Sequence, residues 1–449
     1  MNMIAIDDVL RATGGEVIRR GRSSFNGISI DSRTIKDGEL FFAIKGERHD
    51  GHDFIKEALR KGDGAVVHNL KEEDFEDKTI ILVSDTLKAL QKLALFIRIM
   101  RNVPVIAVTG SNGKTTTKEL IASILSKKYK VLKNEGNLNN QIGLPLSLAG
   151  LKEEHNIVVL EMGASAKGDI RELCRIALPD CGVLTNISSA HMEGFKDLET
   201  VRATKLELLD TVKSIVVNVD DEFLIEGIYI SGFDGVIIRY GIKKQAEVYA
   251  SDIELLDRGF RFLLHLGDKG CVEVNTRLSG EFNIYNILAS AATSYYFGVD
   301  IYDIKTAIEE FEGVPMRFKI VEKNGVKFIV DVYNANPASM EAVIFELVRM
   351  KRDGRAIAVL GDMLELGNLS IDSHKHIGRL LTDLKVDVFI GVGKFMEYAI
   401  KEFKGEAYLR DSSEEAGSLL NKIIKEGDTV LIKGSRGMNM EKVLEGYAL

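Results

Sequence analysis

Hydrophobic and polar positions along this chain fall into two recurring patterns. One is a short unbroken run of aliphatic and β-branched residues; the other is a longer stretch in which apolar residues return every three or four positions. The first pattern reads as strands buried on both faces, the second as amphipathic helices. In the first hundred residues "GISI", "LFFAI", "GAVV" and "IILV" alternate with "DFIKEALRKG" and "TLKALQKLALFIRIM", which predicts a small α/β unit whose last helix runs out near Arg101. "VPVIAVTG" then predicts a strand, a tight turn and a helix from Lys114 to about Lys128.

Further apolar runs at "NIVVLEMG", "CGVLTNI" and "SIVVNVDD", separated by helical segments, predict a parallel sheet covered on both faces. From about Ala246 to Ser279 the text changes to alternating runs broken by glycine ("RFLLHL", "CVEVNTRL"), as in antiparallel hairpins added to the same domain. Helices near Asn283 to Phe297 and Ile304 to Phe311 close it. The Gly and Pro of "EGVPMRFK" predict a boundary, after which "KFIVDVY", "AIAVLGD", "VDVFIGV" and "TVLIKGS" each precede a helix. The expected fold is α/β in three domains: residues 1–100, residues 101–313 with a parallel sheet plus a small antiparallel sheet, and residues 314–449, doubly wound.

Composition narrows the function. A net charge of -8 and a pI near 5.7 argue against a nucleic-acid partner and favour a small-molecule substrate. No run of about 18 apolar residues is present, so no membrane span is expected, and a cytoplasmic location is the default reading. Cys174, Cys181 and Cys271 match no metal spacing and are expected to be reduced, buried thiols.

The chemistry concentrates in "AVTGSNGKTTTKEL", Ala107 to Leu120. The pattern G-x-x-x-x-G-K-[ST] needs a glycine where this chain has Val108, so the loop is shorter than the standard phosphate loop. It still supplies what an anion needs: glycines at 110 and 113 that let the backbone come close, Lys114 to reach terminal phosphates, Thr115 to place a hydroxyl on Mg²⁺, and a helix N-terminus. Lys114 is expected to point toward solvent. Glu161 ends the next strand, where a carboxylate faces a bound nucleotide, and His191 follows the strand after that. By periodicity Lys205 is an ordinary helical lysine beside Val201, Leu206 and Leu209.

In order, "TGSNGKTTT", "NLNNQIGLP", "LEMGAS", "TNISSAHMEGF", "ATKLE", "GEFNIYN", "PMR", "DVYNANPASM", "GDMLELG" and "KGSR" resemble the Mur ligases of bacterial cell-wall synthesis over nearly the whole chain. "DVYNANPASMEA", "VLGDMLELG" and "KGSRGMNME" resemble the branch that adds D-alanyl-D-alanine; the D-N-P-R motif of the diaminopimelate-adding branch is absent from the sequence. The resemblance implies an N-terminal domain for a UDP-sugar, a central P-loop ATPase domain and a Rossmann-like C-terminal domain that closes over the site. It implies that ATP phosphorylates the terminal carboxylate of UDP-N-acetylmuramoyl-tripeptide and that the amine of D-alanyl-D-alanine attacks the acyl phosphate.

The same resemblance assigns residues. Gly110, Ser111, Asn112, Gly113, Lys114, Thr115 and Thr116 would hold ATP, together with Asn283, Asn286, Arg317 and Asp331. Thr115 and Glu161 would ligate one Mg²⁺ and His191 a second, alongside Lys205 converted by CO₂ to a carbamate; Lys114, Lys205, His191 and Glu161 are the catalytic set. The UDP-sugar would meet Ser32, Arg33, Gly46, Asp50, Gly51 and His52, with Asn139 and Asn140 closer to ATP, and Tyr333, Asn334 and Asn336 would meet the dipeptide or the acyl phosphate. Two alternatives stay open: another amide ligase of Mur or folylpolyglutamate type, and a P-loop ATPase that makes no bond.

Overall fold

The computed structural model describes residues 3–46, 49–69, 77–189, 192–351 and 353–445. The sheets follow the sequence in three blocks. The first block holds a five-stranded sheet in the order Glu16–Arg19, Thr79–Leu82, Gly64–Val67, Glu39–Phe42, Gly27–Ser29, in which only the Glu16–Arg19 strand runs antiparallel to its neighbour. Its closing helix, Thr86–Arg101, is capped by Asp85 and does double duty. Leu90 and Leu93 join the core of the first sheet, while Ala94 is buried with Leu144, Leu148 and Leu173 under the second. That shared helix fixes the first block against the centre through apolar burial.

The central sheet has nine strands, and its first strand in sequence, Val105–Thr109, lies inside the sheet and is buried at every position. Ile157–Glu161 and then Val131–Lys133 lie on one side; Cys181–Leu184, Ser214–Asn218 and Val236–Gly241 lie on the other, all parallel. The winding reverses at Val105–Thr109, which opens a crevice beyond its C-terminal end, the place where open α/β sheets hold ligands. Val248–Leu255, Phe260–Leu266 and Cys271–Thr276 form an antiparallel meander. It is joined edge-on to the parallel strands through Tyr240↔Val248 and Gly241↔Tyr249, so one continuous sheet carries both parts. Helices Lys114–Leu125, Glu281–Tyr296 and Ile301–Glu310 cover one face, and Gly143–Ala149, Asp169–Ala177 and Glu222–Ser231 the other.

The last sheet runs Lys319–Lys323, Val326–Asp331, Thr429–Lys433, Ala356–Gly361, Val388–Val392, Glu406–Arg410, parallel except for the first pair. Pro337–Met350, Ser370–Asp383 and Met396–Glu402 pack on one face, with Ser413–Ile423 and the C-terminal turns on the other. The sheet is doubly wound, although the last strand in sequence inserts beside the first parallel one rather than adding at the edge.

Among the described residues no helix is long and apolar enough to cross a membrane. Cys174 and Cys181 are buried, and burial pushes both thiols up to about 12. Cys271 corrects the expectation of three buried thiols: it is exposed, because the edge strand Cys271–Thr276 turns it outward.

Candidate active site

The loop between Val105–Thr109 and Lys114–Leu125 is held from behind by the segment that follows Cys181–Leu184. Ser111 N donates to Asn186 O at 2.9 Å, and Asn112 N to Asn186 Oδ1 at 3.0 Å. Thr185 Oγ1 donates to Asn112 O at 2.7 Å. Ser111 Oγ donates to Ser188 O and accepts from Ser188 N, both at 2.8 Å. Gly110 and Gly113 sit at φ 143° and 81°. A Cβ on Gly113 would lie 2.3 Å from Asn286 Oδ1, and one on Gly110 2.0 Å from Thr185 Oγ1, so both positions require glycine.

Lys114 departs from the solvent-pointing lysine expected. Its ammonium folds back to donate to Gly110 O at 3.0 Å and Ser111 O at 2.9 Å, capping the loop where a phosphate would sit. Burial lowers its pKa, with Glu161 opposing and Arg317 adding to the effect. Thr115 Oγ1 accepts from Arg317 Nη2 at 3.4 Å, and the Arg317 guanidinium lies 3.8 Å above the Tyr333 ring.

Glu161 is the most constrained carboxylate of the site. Asn134 clamps its backbone, accepting from Glu161 N at 2.9 Å and donating to Glu161 O at 3.0 Å. Lys118, wholly buried on the loop helix, donates to Asn134 O at 2.6 Å and so supports the clamp. Asn139 Nδ2 donates to Glu161 Oε1 at 2.7 Å, and Oε2 is buried with no partner among the described residues.

Lys205 is 3% exposed, with its Nζ 5.9 Å from the centre of the Phe195 ring. Burial, with Lys114 next, pulls its pKa down to about 7 against the attraction of Asp169, Glu161 and Glu207. It does not line the main cavity. His191 lies outside the described residues.

From the far side, the last block contributes the C-terminal ends of its strands. Asn336 caps Pro337–Met350 in a reciprocal box with Ser339 and also donates Nδ2 to Asn112 Oδ1 at 2.8 Å. Asp331 and Lys433 are register partners on adjacent parallel strands; Lys433 Nζ donates to Asp331 Oδ2 at 2.5 Å and to Asn334 O at 2.8 Å. Asn283 and Asn286 face the loop helix from Glu281–Tyr296: Asn286 Nδ2 donates to Asn283 Oδ1 at 2.8 Å and its Oδ1 accepts from Thr117 at 3.2 Å. Gly280 holds the N-cap position of that helix, so neither asparagine is a cap.

These groups enclose a cavity of about 820 Å³ lined by Ser111 to Thr116, Asn139, Asn140, Glu161, Asn283, Asn286, Arg317, Asp331, Tyr333, Asn334 and Asn336. Asn140 also accepts from Ile142 N and Gly143 N, shaping the turn into the next helix. The first-block candidates are not in its wall. There Arg33 forks onto Asp31, which it holds down at about 2, and Ser32 donates to Glu57 at 3.0 Å. Gly46 N donates to His49 O, and Gly51 packs where a Cβ would come 2.7 Å from Ile44 N. His52 uses both ring nitrogens internally, Nε2 accepting from His68 N at 3.1 Å and Nδ1 donating to Asp50 at 2.7 Å.

Thr185, Asn186, Ser188, Asn134 and Lys433 also shape the site, and no local motif in the sequence gives them a role. The signal for the first three was positional: they follow the strand beside the loop strand, at the same edge of the sheet.

Three family models match in succession: the Mur ligase family catalytic domain over residues 24–98, the Mur ligase middle domain over 108–294, and the Mur ligase glutamate ligase domain over 316–436. The UDP-N-acetylmuramoyl-tripeptide--D-alanyl-D-alanine ligase of Bacillus subtilis is 36% identical over 435 residues, which are 94% of this chain and 92% of that protein. That of Escherichia coli is 33% identical over 94% of this chain and 93% of its own length. Crystal structure I of MurF from Acinetobacter baumannii superposes with a TM-score of 0.90 at 31% identity, covering 99% of both chains. The MurF ligase of Thermotoga maritima in complex with ADP gives 0.82 at 33% identity, covering 93% of this chain and 96% of that one. The chain belongs to the Mur ligase family.

Proposed function

We propose that this protein is an ATP-dependent amide ligase that adds D-alanyl-D-alanine to UDP-N-acetylmuramoyl-tripeptide in peptidoglycan precursor synthesis. The observation that carries the reading is the meeting, around one cavity, of a phosphate-binding loop, a buried carboxylate with one unpartnered oxygen, and polar groups from the last block. The Bacillus subtilis and Escherichia coli relatives, each matched over 94% of this chain, bear that name, and the Thermotoga maritima MurF structure holds ADP.

A carboxylate resists attack by an amine because its leaving group would be oxide, so it must first be phosphorylated. Ser111 to Thr116 would hold the triphosphate with loop amides and the helix N-terminus. Lys114, now bonded to loop carbonyls, would exchange them for phosphate oxygens, and Arg317 beside Thr115 would add charge on the transferred group. The tripeptide carboxylate displaces ADP to give an acyl phosphate; the dipeptide's neutral amine then attacks the carbonyl, forming the amide, releasing phosphate and losing a proton.

The donor set fits Mg²⁺: Thr115 offers a hydroxyl, and Glu161 an oxygen whose burial is costly without a cation. When bound, the ion would neutralise phosphate oxygens and lower the barrier to transfer. Lys205 suits carbamate formation because a buried amine with a pKa near 7 offers its neutral, nucleophilic form to CO₂. The carbamate, with His191, would provide the second Mg²⁺ site. The first-block residues Ser32, Arg33, Gly46, Asp50, Gly51 and His52 are proposed to receive the UDP-sugar.

Mass spectrometry of the product from ATP, Mg²⁺, the tripeptide nucleotide and D-alanyl-D-alanine tests the reading. A new amide with the dipeptide supports it. Product only with free amino acids, or with glutamate and folate, points to another amide ligase, and ATP hydrolysis with no amide points to an ATPase.

A further inference from the structure

The incoming dipeptide ends in a carboxylate, and a buried anion needs a cation or several donors. Among the described residues four cations line the cavity: Lys114, Arg317, Lys433 and Arg436. Lys114 is bonded to the phosphate loop, and Arg317 lies between Thr115 and Tyr333. Lys433 is buried in its pair with Asp331. Arg436 differs in position and in what it leaves open. It follows the strand Thr429–Lys433 and opens the turn Arg436–Met438, and its side chain is 53% exposed.

The residue before it is anchored twice. Ser435 N donates to Asp362 O at 3.1 Å, and Ser435 Oγ accepts from Leu364 N at 2.8 Å. Arg436 Nη1 donates to Glu441 Oε1 at 2.8 Å, which turns the guanidinium and leaves the Nε/Nη2 edge without a hydrogen bond among the described residues. That edge presents two parallel N–H donors, the geometry that matches a carboxylate. We infer that Arg436 is the specificity residue for the acceptor, binding the C-terminal carboxylate of the dipeptide while Glu441 holds the guanidinium in place. The inference rests on the acceptor proposed above.

The test compares D-alanyl-D-alanine with its C-terminal amide in the wild type and in Arg436→Met. In the wild type the amide is expected to raise the acceptor KM about 10- to 100-fold, the effect of losing a charge-assisted pair. In Arg436→Met the carboxylate form should lose affinity by a similar factor, the amide should be little changed, and the two acceptors should become equivalent, with KM for ATP unchanged. Glu441→Gln should give an intermediate loss. A variant that still prefers the carboxylate by the wild-type ratio overturns the inference while leaving the ligase reading intact. Failure of the wild type to use the dipeptide overturns that reading instead.

Discussion

Asn139 donates to one oxygen of Glu161 at 2.7 Å, and the other oxygen is buried without a partner among the described residues. The pair thus orients a carboxylate and leaves it half satisfied. A buried acceptor in that state costs roughly 1–3 kcal/mol. Glu161→Gln, which keeps the shape and removes the charge, should leave the metal-free protein as stable as the wild type or more so. It should abolish the Mg²⁺-dependent part of nucleotide binding and lower kcat at least 100-fold, on the scale of losing one electrostatic contact to the transition state. Thermal melts with and without MgATP check both halves.

Lys114→Ala should lower kcat by roughly 1000-fold or more, because it removes the cation nearest the loop. The loss of two bonds to loop carbonyls from a half-buried lysine should cost only about 1 kcal/mol of stability. Urea unfolding set beside single-turnover phosphate release separates the two effects.

Lys205 titrates at about 7 instead of its ordinary 10.5, so between these values the unfolded chain holds a proton that the folded one does not. Stability therefore rises with pH across that window, and the burial penalty is fully present below pH 7. In CO₂-free buffer, Lys205→Met should be more stable than the wild type below pH 7, by at most about 5 kcal/mol, with the gap closing toward pH 10.5. A gap independent of pH would contradict the buried-amine account. With labelled bicarbonate, a carbamate carbon signal should appear in the wild type and be missing from the variant.

Asn336 both caps a helix and reaches Asn112. Asn336→Ala should destabilise the last block by about 1 kcal/mol through the lost cap. Asn336→Ser should restore the cap without restoring the 2.8 Å reach to Asn112. If that reach holds the last block over the nucleotide, the serine variant recovers stability while KM for ATP stays raised; recovery of both would assign Asn336 to capping alone.

What the sequence made legible follows from locality. Strands buried on both faces announce themselves as apolar runs, so Val105–Thr109, Ile157–Glu161, Ala356–Gly361 and Thr429–Lys433 were readable. Edge strands are half exposed and mix polar residues into the run. For that reason Glu16–Arg19, Val131–Lys133, Lys319–Lys323 and Glu406–Arg410 gave no comparable signal. The loop and its lysine carry a local motif. The Asp331–Lys433 pair, the hold of Asn186 on Asn112 and the Asn134 clamp join residues distant in sequence, and no local pattern encodes such pairings. Lys205 shows the same limit: helical periodicity makes it ordinary, and it is marked out by the family resemblance and by its burial beside Lys114.

On the reading proposed above, the cavity above Lys114 passes phosphate from ATP to an acid before any amide forms. Turnover of tripeptide nucleotide labelled with heavy oxygen in its terminal carboxylate, with D-alanyl-D-alanine, ATP and Mg²⁺, tests this directly. One labelled oxygen is expected in each phosphate released; amide formation accompanied only by unlabelled phosphate would rule out the acyl phosphate.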